Sequence, residues 1–466
     1  MKNIQYILVL IFVGSFYSCG DSFLETIPEF EGDIQTAVVD AESARSFLNS
    51  SYDALTYSSV LGGQYQLISE LMSDGLNGNE GNLVTNGDWR AHYTWTTDIF
   101  LGTTRSMMHD GYKAIGRGNN LLGILEGAEF LDASEKDLFE GEIKFIRALM
   151  HFELVRFFAQ PYGYTSNNDH LGIPIRTAYN TDVLPRSTVG EVYAQIIADL
   201  ESAAALLPNT NGAYANAYSA KALLARVYFQ MNESSLAYTL ADEVITSSGM
   251  TLDSSFVTKF DGSDASNEIL FGLVSTDYFV DNANGGFADY FRLDVSTNTA
   301  ALYPSAEYLG SFEPGDERLS TWFLEEGDLT FCNKFNVESQ VLYTNPIIHL
   351  TEMKLIRAES AALLNENLET AAQDISDIRE RAGLNAISPS SSANQLINIA
   401  RSERRKELFF ENNRLHDLKR QALADGSNLL IRNEAPWDCP GMICQFPDNE
   451  LKGNPDLVPN ESGGCN

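Results

Sequence analysis

Basic residues are the scarcer charged class in this sequence. Lys and Arg total 31 against 64 Asp and Glu, which gives a formal net charge of −33 over 466 residues. Proteins that bind nucleic acid phosphates or anionic lipid headgroups do so through basic surface patches. The composition therefore argues against general nucleic-acid binding, although it names no partner for so acidic a surface.

Motifs of familiar catalytic sites are also missing. The histidines form no HExxH or other short metal-binding motif, and no GxSxG or phosphate-loop sequence occurs. Acidic pairs such as Glu325-Glu326 could serve glycoside hydrolysis, but a chain with 64 acidic residues contains such pairs freely. We therefore predict a protein that is not an enzyme and that uses no cofactor and no metal.

No apolar run is long enough to cross a bilayer as a helix. The first one, residues 7–16, spans about ten residues, and Lys2 is the only charge before it, which is typical of a secretory signal peptide. It ends in Phe16-Tyr17-Ser18-Cys19-Gly20, which resembles a bacterial lipobox with an aromatic residue where leucine is commonest. We predict a lipoprotein signal peptide over residues 1–18 and lipidation of Cys19. The alternative is an ordinary signal peptide in which Cys19 is incidental.

Cysteine is sparse, with five in the chain. Cys332 stands alone, whereas Cys439, Cys444 and Cys465 lie together in the C-terminal tail. In an oxidising compartment such residues pair as disulfides, and the tail has no histidine that would favour a zinc site. We predict a structural disulfide here: Cys439 could pair with Cys444, and either could pair with Cys465.

The clearest positive signal is a helical periodicity over residues 139–163. Apolar residues recur three and four positions apart, so one face of a helix must be buried: Phe139, Ile143, Ile146, Met150, Leu154 and Phe157. Pro161 and Gly163 end the run. The next periodic run begins near Thr188, which indicates a pair of helices.

Similar pairs recur along the chain. In residues 216–231 and 234–247, small residues allow two helices to approach closely, and two such helices in about 32 residues are typical of a tetratricopeptide-type repeat. Periodic runs also predict helices over 41–57, 106–126, 188–207, 346–365, 368–382, 393–411 and 414–424. About four stacked pairs can share a core, so we predict a mainly α fold built on a tetratricopeptide-like helical scaffold.

Two irregular stretches interrupt the helices. Residues 61–105 and 261–345 are rich in glycine and aromatic residues, and a strand-like fragment lies at 268–274. They hold three of the four tryptophans, Trp89, Trp95 and Trp322. Loops on a rigid scaffold commonly bind ligands, although the same aromatic side chains could fill a second, smaller core. We predict a loop-rich second lobe with minor β structure.

A dense run of charge lies in the predicted helix over 393–411. Basic and acidic residues alternate there: Arg401, Glu403, Arg404, Arg405, Lys406, Glu407 and Glu411. Opposite charges three or four residues apart stabilise a helix face. The pattern favours a structural, salt-bridged face over a ligand site.

Several stretches, taken in order, resemble the SusD/RagB family of outer-membrane lipoproteins from Bacteroidetes. Each is weak alone, because it contains common helix formers, but together they cover nearly the whole chain. They are Ser18-Cys19 with Phe23-Leu24 and Pro28, Tyr112-Lys113-Ala114-Ile115 with Asn119-Asn120, Glu142-Ile143-Lys144-Phe145-Ile146-Arg147-Ala148, Pro161-Tyr162-Gly163, Lys221-Ala222-Leu223-Leu224-Ala225-Arg226-Val227-Tyr228, Asn267-Glu268-Ile269-Leu270-Phe271, Asp316-Glu317-Arg318, Glu352-Met353-Lys354-Leu355-Ile356-Arg357-Ala358-Glu359, and Glu403-Arg404-Arg405-Lys406-Glu407-Leu408 through Glu411 to Asp417-Leu418-Lys419-Arg420.

The resemblance implies a surface-exposed, lipid-anchored glycan-binding protein of the cell outer membrane. Members of the family sit as a lid on a SusC-like TonB-dependent transporter and pass oligosaccharides into it. The implied partners are that transporter, an oligosaccharide or polysaccharide, and the outer membrane through the lipid anchor. Two alternatives stay open: the same lid binding peptides, as some members of the RagB branch do, and a lipid-anchored repeat protein whose ligand is another protein.

The resemblance also sets the expected domain organisation. A lipidated tether over 19–40 follows the signal peptide, and 41–466 form a single domain. Within it we expect helical repeats at about 41–60, 106–250 and 346–425, insertions at about 61–105 and 261–345, and a tail over 426–466. The tail resembles the family ending, but its cysteines are not part of the family pattern.

Sugar binding needs a flat apolar face beside polar side chains that bond hydroxyl groups. Family ligand sites draw on the first insertion, where an Asp after a Glu-Leu pair and a downstream Trp contact sugar. By position these resemble Asp74 and Trp95, with Trp89 and Arg90 as neighbours. From the second insertion we add Tyr290 and Trp322 as candidate glycan contacts.

Overall fold

A computed structural model of the chain describes residues 37–261, 265–274, 290, 293–294, 299–300, 302–335 and 344–465. The proposed signal peptide, Cys19 and most of the tether lie outside these residues. Among the helices of the described ranges, none is both long enough and apolar enough to cross a membrane.

Helices dominate the described residues. The first group is α1 Ala41–Thr56, α2 Gln64–Met72, α3 Gly87–Tyr93, α4 Gly102–Leu125, α5 Ala133–Phe158, α6 Val189–Leu206, α7 Ala217–Gln230 and α8 Ser234–Ser247. The second group is α9 Ala306–Leu309, α10 Glu317–Trp322, α11 Leu350–Leu364, α12 Leu368–Arg381, α13 Ala393–Glu407, α14 Arg414–Asp425 and α15 Asp448–Gly453.

Strands are few and short, and those described form three two-stranded antiparallel sheets. β1 Ile269–Val274 pairs with β6 Thr344–His349, β2 Leu293–Asp294 with β3 Thr299–Ala300, and β4 Phe323–Glu326 with β5 Leu329–Cys332. The prediction of a mainly α fold with minor β structure is confirmed.

Local sequence explains where the helices begin. At the start of α5, Asp132 accepts a hydrogen bond from the Glu135 backbone N–H, and the Glu135 side chain accepts one from the Asp132 backbone N–H. Such a capping box satisfies backbone donors that have no partner within the helix. α6, α7 and α13 begin in the same way. Because of this capping box, α5 begins at Ala133, ahead of the apolar pattern that starts at Phe139.

The scaffold helices stack in chain order, with α4 on α1, α5 on α4, α6 on α5, α7 on α6 and α8 on α7. α11 then packs on α8, and α12 and α13 pack on α11. Two glycines let α4 approach α5 closely: a Cβ at Gly118 would lie 3.1 Å from Ile143, and one at Gly111 would lie 3.3 Å from Leu154. From Phe145 to Phe158 every residue of α5 is buried, so this helix is the centre of the stack.

The first insertion is more regular than the sequence pattern indicates. Within it, α2 is a helix in which all residues are buried, and it packs on α14, α4 and α3. With nine residues, α2 is shorter than the window of 11–18 residues over which helical periodicity can be recognised.

The charged run of α13 is buried rather than exposed, and most of its partners lie on other helices. The Arg318 guanidinium of α10 contacts carboxylates of Asp316, Glu403 and Glu407 at 2.7 to 2.9 Å, and all four side chains are fully buried. These four residues are called the Arg318 cluster below. Nearby, Arg404 of α13 lies 2.8 Å from Asp417 of α14. The predicted structural role agrees with this geometry, whereas the expected pairing within one helix face is restricted mainly to Lys406 and Glu403, 3.2 Å apart.

The tail contains one of the disulfides that the sequence left open. Cys439 pairs with Cys465. Cys444 is a buried thiol, and burial raises its pKa to about 12. A Cβ at Gly441 would lie 2.3 Å from the Trp95 carbonyl oxygen, so the disulfide-closed tail packs tightly against the first insertion.

Candidate functional site

The two insertions meet through their backbones. Leu76 and Pro304 form an antiparallel bridge. The Asn77 N–H donates to the Tyr303 carbonyl and the Ser305 N–H donates to the Gly75 carbonyl, each at 2.8 Å. We call residues 73–101, 290 and 302–335 the loop lobe. It contains all of the predicted glycan contacts.

Asp74 is held by arginines of the scaffold. Its carboxylate accepts hydrogen bonds from Arg414 Nε at 2.7 Å and Nη2 at 2.6 Å, and Arg405 lies at 3.1 Å. Burial on its own would raise the pKa of Asp74, but Arg414 and Arg405 bring it below its usual range. The carboxylate therefore fastens the end of α2 to α13 and α14, and its bonding capacity is already used by protein.

Glu70, one turn earlier, is a fully buried carboxyl group without an ion pair among the described residues. Its oxygens accept hydrogen bonds from the Phe410 N–H at 3.1 Å and from Ser73 Oγ at 3.3 Å. Burial raises the pKa of Glu70 from 4.5 to about 7. Below about pH 7 the Glu70 carboxyl group is therefore mainly protonated in the folded protein.

We expect Glu70→Gln to be more stable than the parent above pH 7 by about 3 kcal/mol and nearly equal to it at pH 4. Between about pH 4.5 and 7 the folded state retains a proton that the unfolded state releases. The contribution of Glu70 is therefore fully present below pH 4.5 and is lost as the pH rises through 7. Urea denaturation at several pH values measures the difference, with exposed Glu129→Gln as the charge-matched control. A gain that is the same at every pH would contradict the assignment.

Trp95 lies in the interior of the lobe, where 3 % of it is exposed. Its indole N–H donates to the Met72 carbonyl at 3.0 Å, and the Arg432 guanidinium lies 4.4 Å from its ring centroid. Its backbone is left-handed, with φ of 54°. The expectation that this ring meets a sugar face does not fit its burial, because the tail and Arg432 already cover it.

Arg90 is the predicted residue that is most open to solvent. It is exposed on α3, and its Nη1 donates to the Gly78 carbonyl at 2.6 Å. Its guanidinium lies 5.7 Å from the ring centroid of half-buried Tyr93, and the Arg432 guanidinium lies 3.6 Å from the same centroid. The remaining N–H groups of Arg90 can donate to a ligand, which makes this a suitable surface for hydroxyl groups.

Trp89 connects the first insertion with the predicted Tyr290. Their ring centroids lie 5.6 Å apart at an interplanar angle of 81°. Trp89 is 6 % exposed, and Tyr290 is half-buried. The structure thus brings Tyr290 to Trp89, while Arg90, the next residue of α3, is exposed.

Trp322 belongs to a separate aromatic core. It is fully buried, with Phe256 at 5.1 Å and Phe260 at 6.3 Å between ring centroids, and with Lys334 Nζ 4.8 Å from its centroid. No face of this ring is available to a ligand. The predicted glycan contact at Trp322 does not fit this packing.

Sequence reasoning missed Tyr93 and Arg432. Tyr93 follows Trp89 by four residues on a helix, a spacing that places both on one face and could have identified it. Arg432 lies far away in the tail, and its bonds to the carbonyls of Leu71, at 2.8 Å, and Tyr93, at 2.9 Å, have no local signal. In the described ranges no group of three His, Cys, Asp or Glu side chains is arranged to hold a metal ion.

Comparisons with known proteins agree with this architecture. A family model described as SusD-like, starch-binding and associating with the outer membrane matches residues 22–229, and a model of the SusD family matches residues 332–435. A curated relative, SusD-like protein P2 of Formosa agariphila, is 24 % identical over 477 residues, covering 89 % of this chain and 91 % of that protein.

Solved structures of SusD proteins have the same fold. A SusD superfamily protein from Bacteroides thetaiotaomicron is similar with a TM-score of 0.78 and 24 % identity, over 91 % of this chain and 100 % of that chain. A laminarin-binding SusD-like protein is similar with a TM-score of 0.72 and 21 % identity, over 91 % of this chain and 100 % of that chain.

Proposed function

The chain belongs to the SusD/RagB family, and on that basis we propose that it binds glycans through the loop lobe. Two observations carry the proposal: Arg90 is exposed on α3 next to Trp89, and Trp89 packs against the half-buried ring of Tyr290. A guanidinium offers several N–H donors to adjacent hydroxyl groups, and an aromatic ring offers an apolar face to the C–H side of a sugar. Trp89 packs edge-on against Tyr290 and so holds that ring in place.

The similarities support a carbohydrate ligand. The family model that matches the N-terminal half is described as starch-binding, and one structural neighbour is described as laminarin-binding. The acidic composition favours neutral glycans over acidic ones, because a net charge of −33 repels anions. The chemistry proposed is binding without catalysis.

The finer parts of the function rest on the family and on the N-terminal sequence. We propose that Cys19 carries lipid and anchors the chain at the outer membrane, facing the cell exterior. We propose further that the helical stack docks on a SusC-like TonB-dependent transporter, to which the lobe delivers captured oligosaccharides. The lipobox-like Ser18-Cys19 and the description of the matched family as associating with the outer membrane support this location.

We expect Arg90→Ala to weaken glycan binding by about tenfold or more, because hydrogen bonds from a charged donor contribute about 1.5–3 kcal/mol. Affinity electrophoresis against a panel of polysaccharides identifies the ligand, and calorimetry with its oligosaccharides measures the affinity. Arg105→Ala is the matched control: Arg105 is a similarly exposed arginine outside the lobe, 2.6 Å from Asp448.

Two results would count against the proposal. Equal affinities for Arg90→Ala and Arg105→Ala would place the glycan elsewhere. Failure of every glycan, together with binding of mixed oligopeptides, would replace a glycan ligand by a peptide.

A further inference from the structure

A cavity outside the loop lobe lies along α4. Its volume is about 710 Å³, within the range of about 300–1,000 Å³ that is common for small-molecule sites. One wall is α4, the other is the segment 174–183, and the tail closes it with Phe446 and Leu457. We call this the α4 cleft. None of its lining residues belongs to the loop lobe.

The two walls of the cleft are held together by hydrogen bonds. Tyr112 of α4 donates through its hydroxyl to the Pro174 carbonyl at 2.8 Å, and Asn119 of α4 donates to the Arg176 carbonyl at 3.1 Å. Buried Arg147 donates to Asn119 Oδ1 at 2.9 Å and to the Thr177 carbonyl at 3.0 Å. The cleft is therefore a fixed part of the fold, as a preorganised binding site requires.

Gly116 keeps the cleft open. It lies inside α4, where glycine costs about 1 kcal/mol relative to alanine. A Cβ built on it would have Tyr179 Cδ2, 4.0 Å away, as its nearest neighbour, so tight packing does not demand a glycine at this position. Any larger side chain would instead project into the cavity.

Tyr179 provides an aromatic face at the opening. It is 65 % exposed although its ring lines the cavity, which is unusual for so large an apolar surface. An exposed tyrosine ring beside an open cavity can stack on the apolar face of a sugar, while its hydroxyl group remains in contact with water.

The polar groups of the cleft are balanced in charge and not paired with one another. Lys113 and Arg176 supply two cations, and Asp182 and Glu450 supply two carboxylates. None of the four forms an ion pair within the described residues. Arg176 donates a hydrogen bond to the backbone carbonyl of Asp182, and Glu450 accepts one from the Asn449 side chain. By contrast, Arg117 on the same wall pairs with Asp53 at 3.3 Å.

Such a lining suits a neutral, hydroxyl-rich ligand. Hydroxyl groups can accept from the cations and donate to the carboxylates, and hydrogen bonds with ionised groups are the strong ones. A charged ligand would leave the groups of its own sign unpaired. We propose that the α4 cleft is a second saccharide-binding site, which takes a neutral oligosaccharide of a few units independently of the loop lobe.

The test uses two substitutions at one position. Gly116→Leu should fill the cleft and weaken oligosaccharide binding there by at least about tenfold. Gly116→Ala should leave most of the cavity open and retain binding, while both variants gain helix propensity and melt no lower than the parent. Calorimetry with gluco-, xylo-, manno- and galacto-oligosaccharides of two to four units measures affinity and stoichiometry.

Tyr179→Ala provides a second variant that does not alter the helix. It should weaken the affinity of the same oligosaccharide about tenfold. Phe130→Ala is the control, because Phe130 is a partly exposed ring away from the cleft, and its affinity should be unchanged. Arg90→Ala affects the loop lobe alone. The two sites are therefore distinguished by whether a binding event is lost in Arg90→Ala or in the cleft variants. If no oligosaccharide of the panel loses affinity in Gly116→Leu or Tyr179→Ala, the cleft is not a saccharide site, whatever the result at the lobe.

Discussion

Replacing Arg318 by methionine is expected to lower the free energy of unfolding by about 3–5 kcal/mol, because it removes a cation that three buried carboxylates share. Glu403 then keeps Arg379 at 3.0 Å and Glu407 keeps Arg381 at 3.1 Å, whereas Asp316 keeps only Lys406 at 4.0 Å. The guanidinium donates to Asp316 at 2.7 and 2.9 Å, to Glu403 at 2.7 Å and to Glu407 at 2.9 Å. Methionine fills much of the same volume but offers no charge. Urea denaturation at neutral pH measures the loss.

Two features identify the cause of that loss. First, the deficit should shrink as the pH falls toward 4, because carboxyl groups that lose their cation take up protons more readily. Second, Arg105→Met removes an arginine whose side chain is 45 % exposed and should cost no more than about 1 kcal/mol. A loss for Arg318→Met as small as that of Arg105→Met would mean that water or other cations compensate the carboxylates of the Arg318 cluster.

Trp322→Ala is expected to cost about 3–5 kcal/mol of stability, the usual range for removing a buried aromatic side chain. The ring fills a core with Phe256 and Phe260, and alanine would leave a cavity there. At temperatures where the variant is folded, its glycan affinity should equal that of the parent, since the ring is fully buried. Thermal denaturation and calorimetry provide the two measurements.

Trp322→Phe is the matched control. The Trp322 indole N–H has no hydrogen-bond partner among the described residues, so phenylalanine sacrifices volume but no bond. Its free energy of unfolding should fall by less than half as much as that of Trp322→Ala. A Trp322→Ala variant that melts like the parent but binds glycan weakly would show instead that the ring reaches the ligand.

The helices of the scaffold could be predicted because their signal is local. Apolar spacing over residues 234–247 agrees with α8, Ser234–Ser247, and the run that begins near Thr188 agrees with α6. The buried helix α2 was not predicted in this way, because its nine residues are fewer than the 11–18 over which helical periodicity is read. Its polar residues, such as Gln66 and Glu70, are buried as well, so only the tertiary structure shows what they contact.

The candidate site could be predicted only in part. Glycine-rich and aromatic stretches indicated where the loop lobe lies, and Arg90 is exposed there, as the proposed glycan contact requires. Composition could not separate Trp95 and Trp322, which are buried, from rings that reach the surface. A tryptophan in a loop has the same sequence signature whether it packs inward or outward.

The sequence by itself determined the acidic charge, the helical stack and the family, since each depends on residue types or on spacings within a few turns. Only the tertiary structure decided which charges pair, as when Arg318 of α10 meets Glu403 and Glu407 of α13. It also decided which aromatic rings are covered and where a cavity stays open beside Gly116. These outcomes depend on contacts between segments far apart in the chain, and local sequence does not specify such contacts.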